Sequence, residues 1–277
     1  MAHYRDSDFP QSAPVASPSA TGPATMDPST VAIAPLMPSP SGRAVGAPVV
    51  PGTDTAVTER TFTIRTVASE EREGASDLLG RRYAWRGYRT VSLPTDQTGY
   101  RTTLSAHEGE HTIGTLTLEL DGPLGLAAEA AFEPEIEALR AQGRRLAEFT
   151  RLAVETNASS QRVLAALFHV GYIVAYRLRR YDTLLLEVNP RHVRFYERML
   201  GCRVIGPVRE HPGVKAPAVL LSAEFAFIRD QIRAHGGQGD YVSQARSLYP
   251  FAFTAADEAG IIERLLHAQM GHSPLAS

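Results

Sequence analysis

The chain has 277 residues, 43% of them hydrophobic and 21% charged, with a formal net charge of −2. That length can bury a sizeable core, and that charge excludes a global pull toward nucleic acid or an anionic membrane. A single cysteine, Cys202, precludes an internal disulfide and fits a reducing compartment. The opening MAHYRDSDFP lacks the apolar core of a signal peptide, and no run of about 18 apolar residues exists, so a cytoplasmic protein without a membrane span is expected.

Residues 1–58 are rich in Pro, Ala, Ser, Thr and Gly and carry neither a helix nor a strand period; such composition cannot offset chain entropy, and a disordered arm is expected there. A catalytic domain over 59–227 and a helical extension over 228–277 follow. FTIRTVA alternates as a strand. Ser69 caps a helix through SEEREGASDLLGRRYAW, with acids first, Arg81 and Arg82 last and Gly87 as its stop. TTLSAHEGE and HTIGTLTLEL read as a hairpin turning near Gly109. PEIEALRAQGR is a short helix with Pro134 in its first turn. RLAEFTRLAVE is a strand, and SSQRVLAALFHVGYIVAYRLRRY a helix apolar nearly all round. DTLLLEVNP is a buried strand, RHVRFYERML a helix stopped by Gly201, and CRVIGPV with AVLLSAEF a last strand pair. From Ile228 the pattern is helical, notably in EAGIIERLLHAQM. The order β-α-β-β-α-β-α-β-α-β-β predicts an α/β (α+β) domain around one mixed sheet.

The stretch LLLEVNPRHVRFYERMLG, residues 184–201, resembles the end of the GNAT acyltransferase domain, in which a strand ending in Asn leads to a helix bearing a Phe-Tyr pair. Phe195-Tyr196 stands at that distance from Asn189. One residue is extra before Gly201, and Cys202 replaces the usual aromatic. AEFTRLAV resembles the Glu-x-Ser/Thr-Arg signature of acyl-homoserine-lactone synthases at Glu148, Thr150 and Arg151. Residues 171–202 are closer still to the FeeM-type N-acyl amino acid synthases. The resemblance spans about 60–227 and implies a GNAT-like fold, with helices flanking a central sheet splayed between two central strands. It also implies a tyrosine, Tyr196, whose hydroxyl protonates the leaving thiolate. GNAT enzymes hold the pyrophosphate of coenzyme A on a Gly-rich loop, a use of main-chain N–H groups at a helix start. Here ETNASSQRVLAAL has no glycine. A donor on acyl carrier protein, which presents only a phosphopantetheine phosphate, does not need that loop.

Amine attack on a thioester requires a base, an oxyanion donor and a protonated leaving group. Glu148 is the candidate base and Tyr196 the candidate acid. Strand alternation puts Glu148 and Thr150 on one face and Arg151 on the other, unless a bulge intervenes. Arg151 then either anchors a carboxylate or phosphate or, with Glu148, belongs to structural ion pairs. Asn189 orients substrate or caps the next helix. Trp85, Arg86 and Tyr88, beside Tyr83, form an aromatic–arginine group suited to an amino acid carboxylate or to packing on the core. His169 reads as a core or rim histidine, and no spacing suggests a metal site.

Between Arg144 and Glu210 lie twelve arginines, no lysine and six acids, a local net of +6. Arg177, Arg179, Arg180, Arg191, Arg194 and Arg198 are expected around the cleft mouth, where they would steer an acidic acyl carrier protein; a solvated helix face is the other reading. The expected reaction is transfer of a long-chain fatty acyl group from acyl carrier protein, or from acyl-CoA, to the amine of an amino acid, with no tightly bound cofactor, metal or nucleic acid. The alternatives are an acyl-homoserine-lactone synthase and a non-catalytic GNAT-like module that binds lipid or a partner.

Overall fold

The computed structural model describes residues 30–33, 62–67, 72–84, 93, 99–155, 160–213, 215–239 and 246–271. Its strands are β1 (Thr30–Ile33), β2 (Phe62–Thr66), β3 (Arg101–Glu108), β4 (His111–Leu120), β5 (Leu146–Val154), β6 (Thr183–Val188), β7 (Arg203–Val204), β8 (Arg209–His211) and β9 (Ala216–Glu224). Its helices are α1 (Arg72–Ala84), α2 (Glu129–Ala141), α3 (Ser160–Tyr172), α4 (Val193–Leu200), α5 (Phe225–His235) and α6 (Ala255–Gly271). The sheet order is β1-β2-β3-β4-β5-β6-β9-β7, with β8 beside β9. Among the described residues only β5 and β6 pair in parallel, and the other pairings are antiparallel. β3 and β4 turn through Gly109 and Glu110, and Gly109 takes a φ of +58°, a left-handed conformation that glycine adopts without steric cost.

Strand alternation sorts the core into two layers. Leu116, Leu118, Ala147, Phe149, Leu184, Leu186, Val219 and Leu221 join α3, α5 and α6 in the main cluster. On the other face Leu146, Leu185, Ala218 and Leu220 pack on Phe132 and Ile136 of α2. Ala153 packs there on Ala75, Leu78 and Leu79 of α1. Between those two patches this face is polar although buried, with Thr115, Thr117, Glu119 and Glu148.

Several expectations change. Thr30–Ile33, inside the stretch expected to form no element, adds a strand to the sheet edge against β2. α2 begins at Glu129 and breaks at Phe132 (φ −130°, ψ 28°), so Pro134 falls in the first turn of its second part, where no helical N–H is lost. The helix expected through residue 181 leaves α-geometry at Ile173 and ends in a π-turn to Leu178. β8 was not foreseen: three residues hold no period, and pairing with β9 creates the strand. Ser69 and Gly87 lie outside the described residues.

The C-terminal helices are part of the core. Ile228, Ile232, Leu248, Tyr249, Phe253 and Ile261 join the α3 cluster. The Phe253 N–H donates to Nδ1 of His169 at 3.0 Å, so Nε2 carries the imidazole proton. That N–H faces Glu258 Oε2 of α6 at 3.2 Å, and Arg177 bonds the other Glu258 oxygen. His169 is thus a satisfied core histidine; burial holds it below its ordinary pKa.

Candidate active site

β5 and β6 pair only at Leu146↔Thr183, Ala147↔Leu184 and Glu148↔Leu185. Beyond Glu148 they separate, while β5 stays on β4 as far as Val154↔Gly114 and β6 stays on β9 as far as Val188↔Val219. The sheet splits between two intact halves, and the split opens a cavity of about 340 Å³.

A bulge shapes the β5 side. Thr117 faces Thr150 and Thr115 faces Ala153, so Arg151 and Leu152 together oppose Leu116. Arg151 takes a φ of +48°, costly for a residue with a Cβ, and three bonds hold it. Its carbonyl accepts from Thr115 Oγ1 at 3.0 Å, and its guanidinium donates to Glu119 Oε1 at 2.5 Å and to Thr150 Oγ1 at 2.9 Å. Alternation alone separates Arg151 from Glu148. The bulge cancels that separation, because Glu119 is the cross-strand partner of Glu148. Arg101 of β3 reaches Glu119 from the other side at 3.4 Å.

Glu148 is 1% exposed and lines the cavity. Its Oε2 accepts from the Ala128 N–H at 3.0 Å, where α2 begins. Burial pushes its pKa up to about 8; the Glu119 and Glu187 charges add to the rise, and the Ala128 bond and Arg151 oppose it. Glu187 of β6, pushed up to about 7 by burial, lines the same cavity, as does His211 of β8.

Tyr196 of α4 stands at the wall between this cavity and an apolar one of about 490 Å³, lined by Leu152, Val154, Leu164, Phe195 and Met199. Its ring packs 6.5 Å from that of Phe168 and edge-on to Phe195. Gly201, at φ +70°, ends α4, so the extra residue before it lengthens the helix without displacing Tyr196 from the cavity. Asn189 caps the turn before α4, its Oδ1 accepting from the Arg191 N–H at 3.2 Å, and it too lines the cavity. Tyr83, on the last turn of α1, reaches the bulge, its hydroxyl 3.4 Å from the Leu152 carbonyl. Trp85, Arg86 and Tyr88 lie outside the described residues.

The six arginines expected at one rim fall at two ends of the molecule. Arg191, Arg194 and Arg198 flank the cavity end of β6 and are exposed. Arg177, Arg179 and Arg180 precede Thr183, at the paired end of β6. Six residues of strand, roughly 20 Å, separate the two groups, and Arg177 is engaged by Glu258. The reason is direction: α3 runs away from the cavity and carries its terminal arginines with it.

Sequence reading passed over Glu119, Glu187 and His211. The two acids were visible as lone charges in otherwise apolar strands, LTLEL and LLLEV. His211 belongs to a strand without a local signal.

A mixed sheet parted between two central strands, with a buried acid and a tyrosine facing the gap, is the architecture of a GNAT-fold acyltransferase. The match to the family model for the N-acyl amino acid synthase FeeM over residues 74–224 narrows this class, and the chain belongs to that family. The structure of FeeM, an N-acyl amino acid synthase from uncultured soil microbes, is 27% identical and covers 61% of this chain and 93% of its own, with a TM-score of 0.53. An N-acetyltransferase from Staphylococcus aureus Mu50 is 14% identical over 60% of this chain and 98% of its own, TM-score 0.43. The spermidine N-acetyltransferase of Vibrio cholerae, in complex with CoA and spermine, is 13% identical over 61% and 98%, TM-score 0.42. Comparison with curated protein sequences finds no match.

Proposed function

We propose that the chain transfers a long-chain fatty acyl group from the phosphopantetheine thioester of acyl carrier protein to the amine of an amino acid. The observation that carries this reading is the placement of Tyr196 on the wall shared by a polar and an apolar cavity. The apolar cavity suits a pantetheine and acyl chain, and the polar one an amine. Glu148 as carboxylate takes a proton from the attacking nitrogen. Main-chain N–H groups on the β5 edge beyond Glu148, which has no β6 partner there, face the developing oxyanion. Tyr196 protonates the departing thiolate. The glycine-free ETNASSQRVLAAL segment favours the carrier-protein donor over coenzyme A, and the lining of the polar cavity by Arg151, Thr150 and Asn189 supports a role for them in binding the acceptor. Localisation in the cytoplasm follows from this donor.

Purified protein supplied with acyl carrier protein thioesters, acyl-CoA and the twenty amino acids tests the reading by mass spectrometry. An N-acyl amino acid is expected, formed faster from the carrier protein. Tyr196→Phe and Glu148→Gln should each lower kcat by about 100-fold. Transfer that survives both substitutions unchanged removes these two roles; no product with any donor and amine removes the reaction.

A further inference from the structure

The cavity holds a second carboxylate for which the reaction above has no task. Glu187 sits two residues beyond Leu185, the partner of Glu148, so both acids point to the α2 face of the sheet, one from each parting strand, and both line the cavity. They differ in surroundings. Glu148 is closed in, with one oxygen held by the Ala128 N–H. The Glu187 side chain is 16% exposed, and that of His211, 3.7 Å from its Oε2, is 18% exposed.

The histidine is oriented. The Gly213 N–H donates to Nδ1 of His211 at 3.0 Å, so Nδ1 is an acceptor and the imidazole proton is on Nε2, the nitrogen that faces Glu187. At 3.7 Å this is wider than a hydrogen bond, yet an N–H dipole aimed at a carboxylate favours its ionised form. The other charged or titratable groups facing this space are Tyr83 from α1, Glu148 and Arg151 from β5, Arg191 and His192 from the turn after β6, and Tyr196 from α4.

An amino acid carries an ammonium at neutral pH, and that nitrogen has no lone pair for attack. Two N–H protons must leave before it is an amide nitrogen, and a single base takes one. Resting on the acyl-transfer reading above, we infer that Glu187, oriented by His211, receives the acceptor as an ammonium and takes its first proton.

The steps balance. One N–H bond breaks as Glu187 gains an O–H, and the freed lone pair attacks the thioester carbon. As the C–N bond forms and the C–S bond breaks, the second N–H proton passes to Glu148, and the thiolate takes its proton from Tyr196. The Glu148 proton then restores the phenol, and the proton on Glu187 leaves to solvent along the more exposed His211 side. One proton is released per turnover. Glu187 touches the substrate and is catalytic; His211 acts through it and is a positioning residue.

The test is the pH dependence of kcat/KM for the amino acid acceptor in wild type, Glu187→Gln, Glu187→Asp and His211→Leu. Wild type should rise to a plateau as the cavity acids ionise. Glu187→Gln reacts only with the free-amine fraction. Its rate should trail wild type by about 100-fold at pH 7, and the gap should close by about tenfold per pH unit as the acceptor itself deprotonates. Glu187→Asp should restore a plateau, and His211→Leu should move the wild-type limb to higher pH with its plateau kept. A Glu187→Gln deficit of the same size at every pH, or a His211→Leu limb that does not move, overturns the assignment. A wild type that acylates no amine removes the reaction and this inference together, whereas a pH-independent deficit in an active enzyme removes the inference alone.

Discussion

Arg151 is where sequence and geometry meet most closely. Its left-handed backbone forces two residues opposite one on β4, and the side chain released by that turn neutralises Glu119, whose side chain is 1% exposed. Removing Arg151 leaves this buried carboxylate the longer 3.4 Å pair with Arg101, which compensates its charge less well. Arg151→Ala should therefore destabilise the fold by about 2 kcal/mol, the worth of a hydrogen bond to a charged group, while adding Glu119→Gln should restore part of the loss, short of the whole because Arg101 then loses the Glu119 charge. Urea unfolding of the two single variants and the double checks this. Additive losses would mean that the pair is not coupled. The alternation rule for β5 was legible in AEFTRLAV, and so was the condition that a bulge would break it. The bulge itself was not legible, because it depends on bonds from Thr115 and Glu119 of a different strand.

At the scale of elements, chain order was readable because each long element carries its own period: the alternation of β3 and β4, the apolar run of β6, the glycine stop of α4. What was misread followed from direction. α3 and its π-turn leave the cavity, whereas α4 starts beside it, so arginines close in sequence end far apart. This separation yields a prediction about docking. Arg194→Glu with Arg198→Glu, on exposed positions of α4, should raise the KM for an acidic carrier-protein donor by about tenfold and flatten its salt dependence, since the attraction that salt screens is gone. The same change at Arg179 and Arg180 should leave KM near wild type. Neither pair should alter KM for a free acyl-pantetheine donor, which has no carrier surface. Equal effects from both pairs in steady-state assays would place docking elsewhere. The C-terminal stretch shows a related limit: its helical pattern was evident, but its share in the α3 core, fixed by His169, Phe253 and Glu258, is a long-range fact.

For the whole molecule the cavity acids set stability against chemistry. Glu148 and Glu187, at about 8 and about 7, are raised above the ordinary 4.5. From about pH 4.5 up to those values the folded chain binds more protons than the unfolded one, so stability falls as pH rises. The slope is roughly 1.4 kcal/mol per pH unit for each group while both titrate. Glu135 and Glu258 work in the opposite sense. Their carboxyls are held low, Glu135 chiefly by the Arg209 bond and Glu258 by His169 and Arg177 against the cost of burial, and the stability they contribute is lost as pH drops below 4.5. His169 and His211, held below 6.5 by burial, oppose the two acids up to about pH 6.5. The melting temperature followed from pH 4 to 9 should therefore be broadly maximal between about pH 5 and 6.5 and decline from there toward pH 8, while acyl transfer rises over that same decline. Glu148→Gln carries no charge to bury, so its melting temperature should fall less steeply with pH and exceed wild type at pH 8, in a variant that transfers poorly. A Glu148→Gln curve parallel to wild type would mean that the carboxyl ionises freely in the folded chain. The cavity would then be too wet to hold a poised base, since the burial that destabilises the carboxylate is the same burial that raises its affinity for a proton.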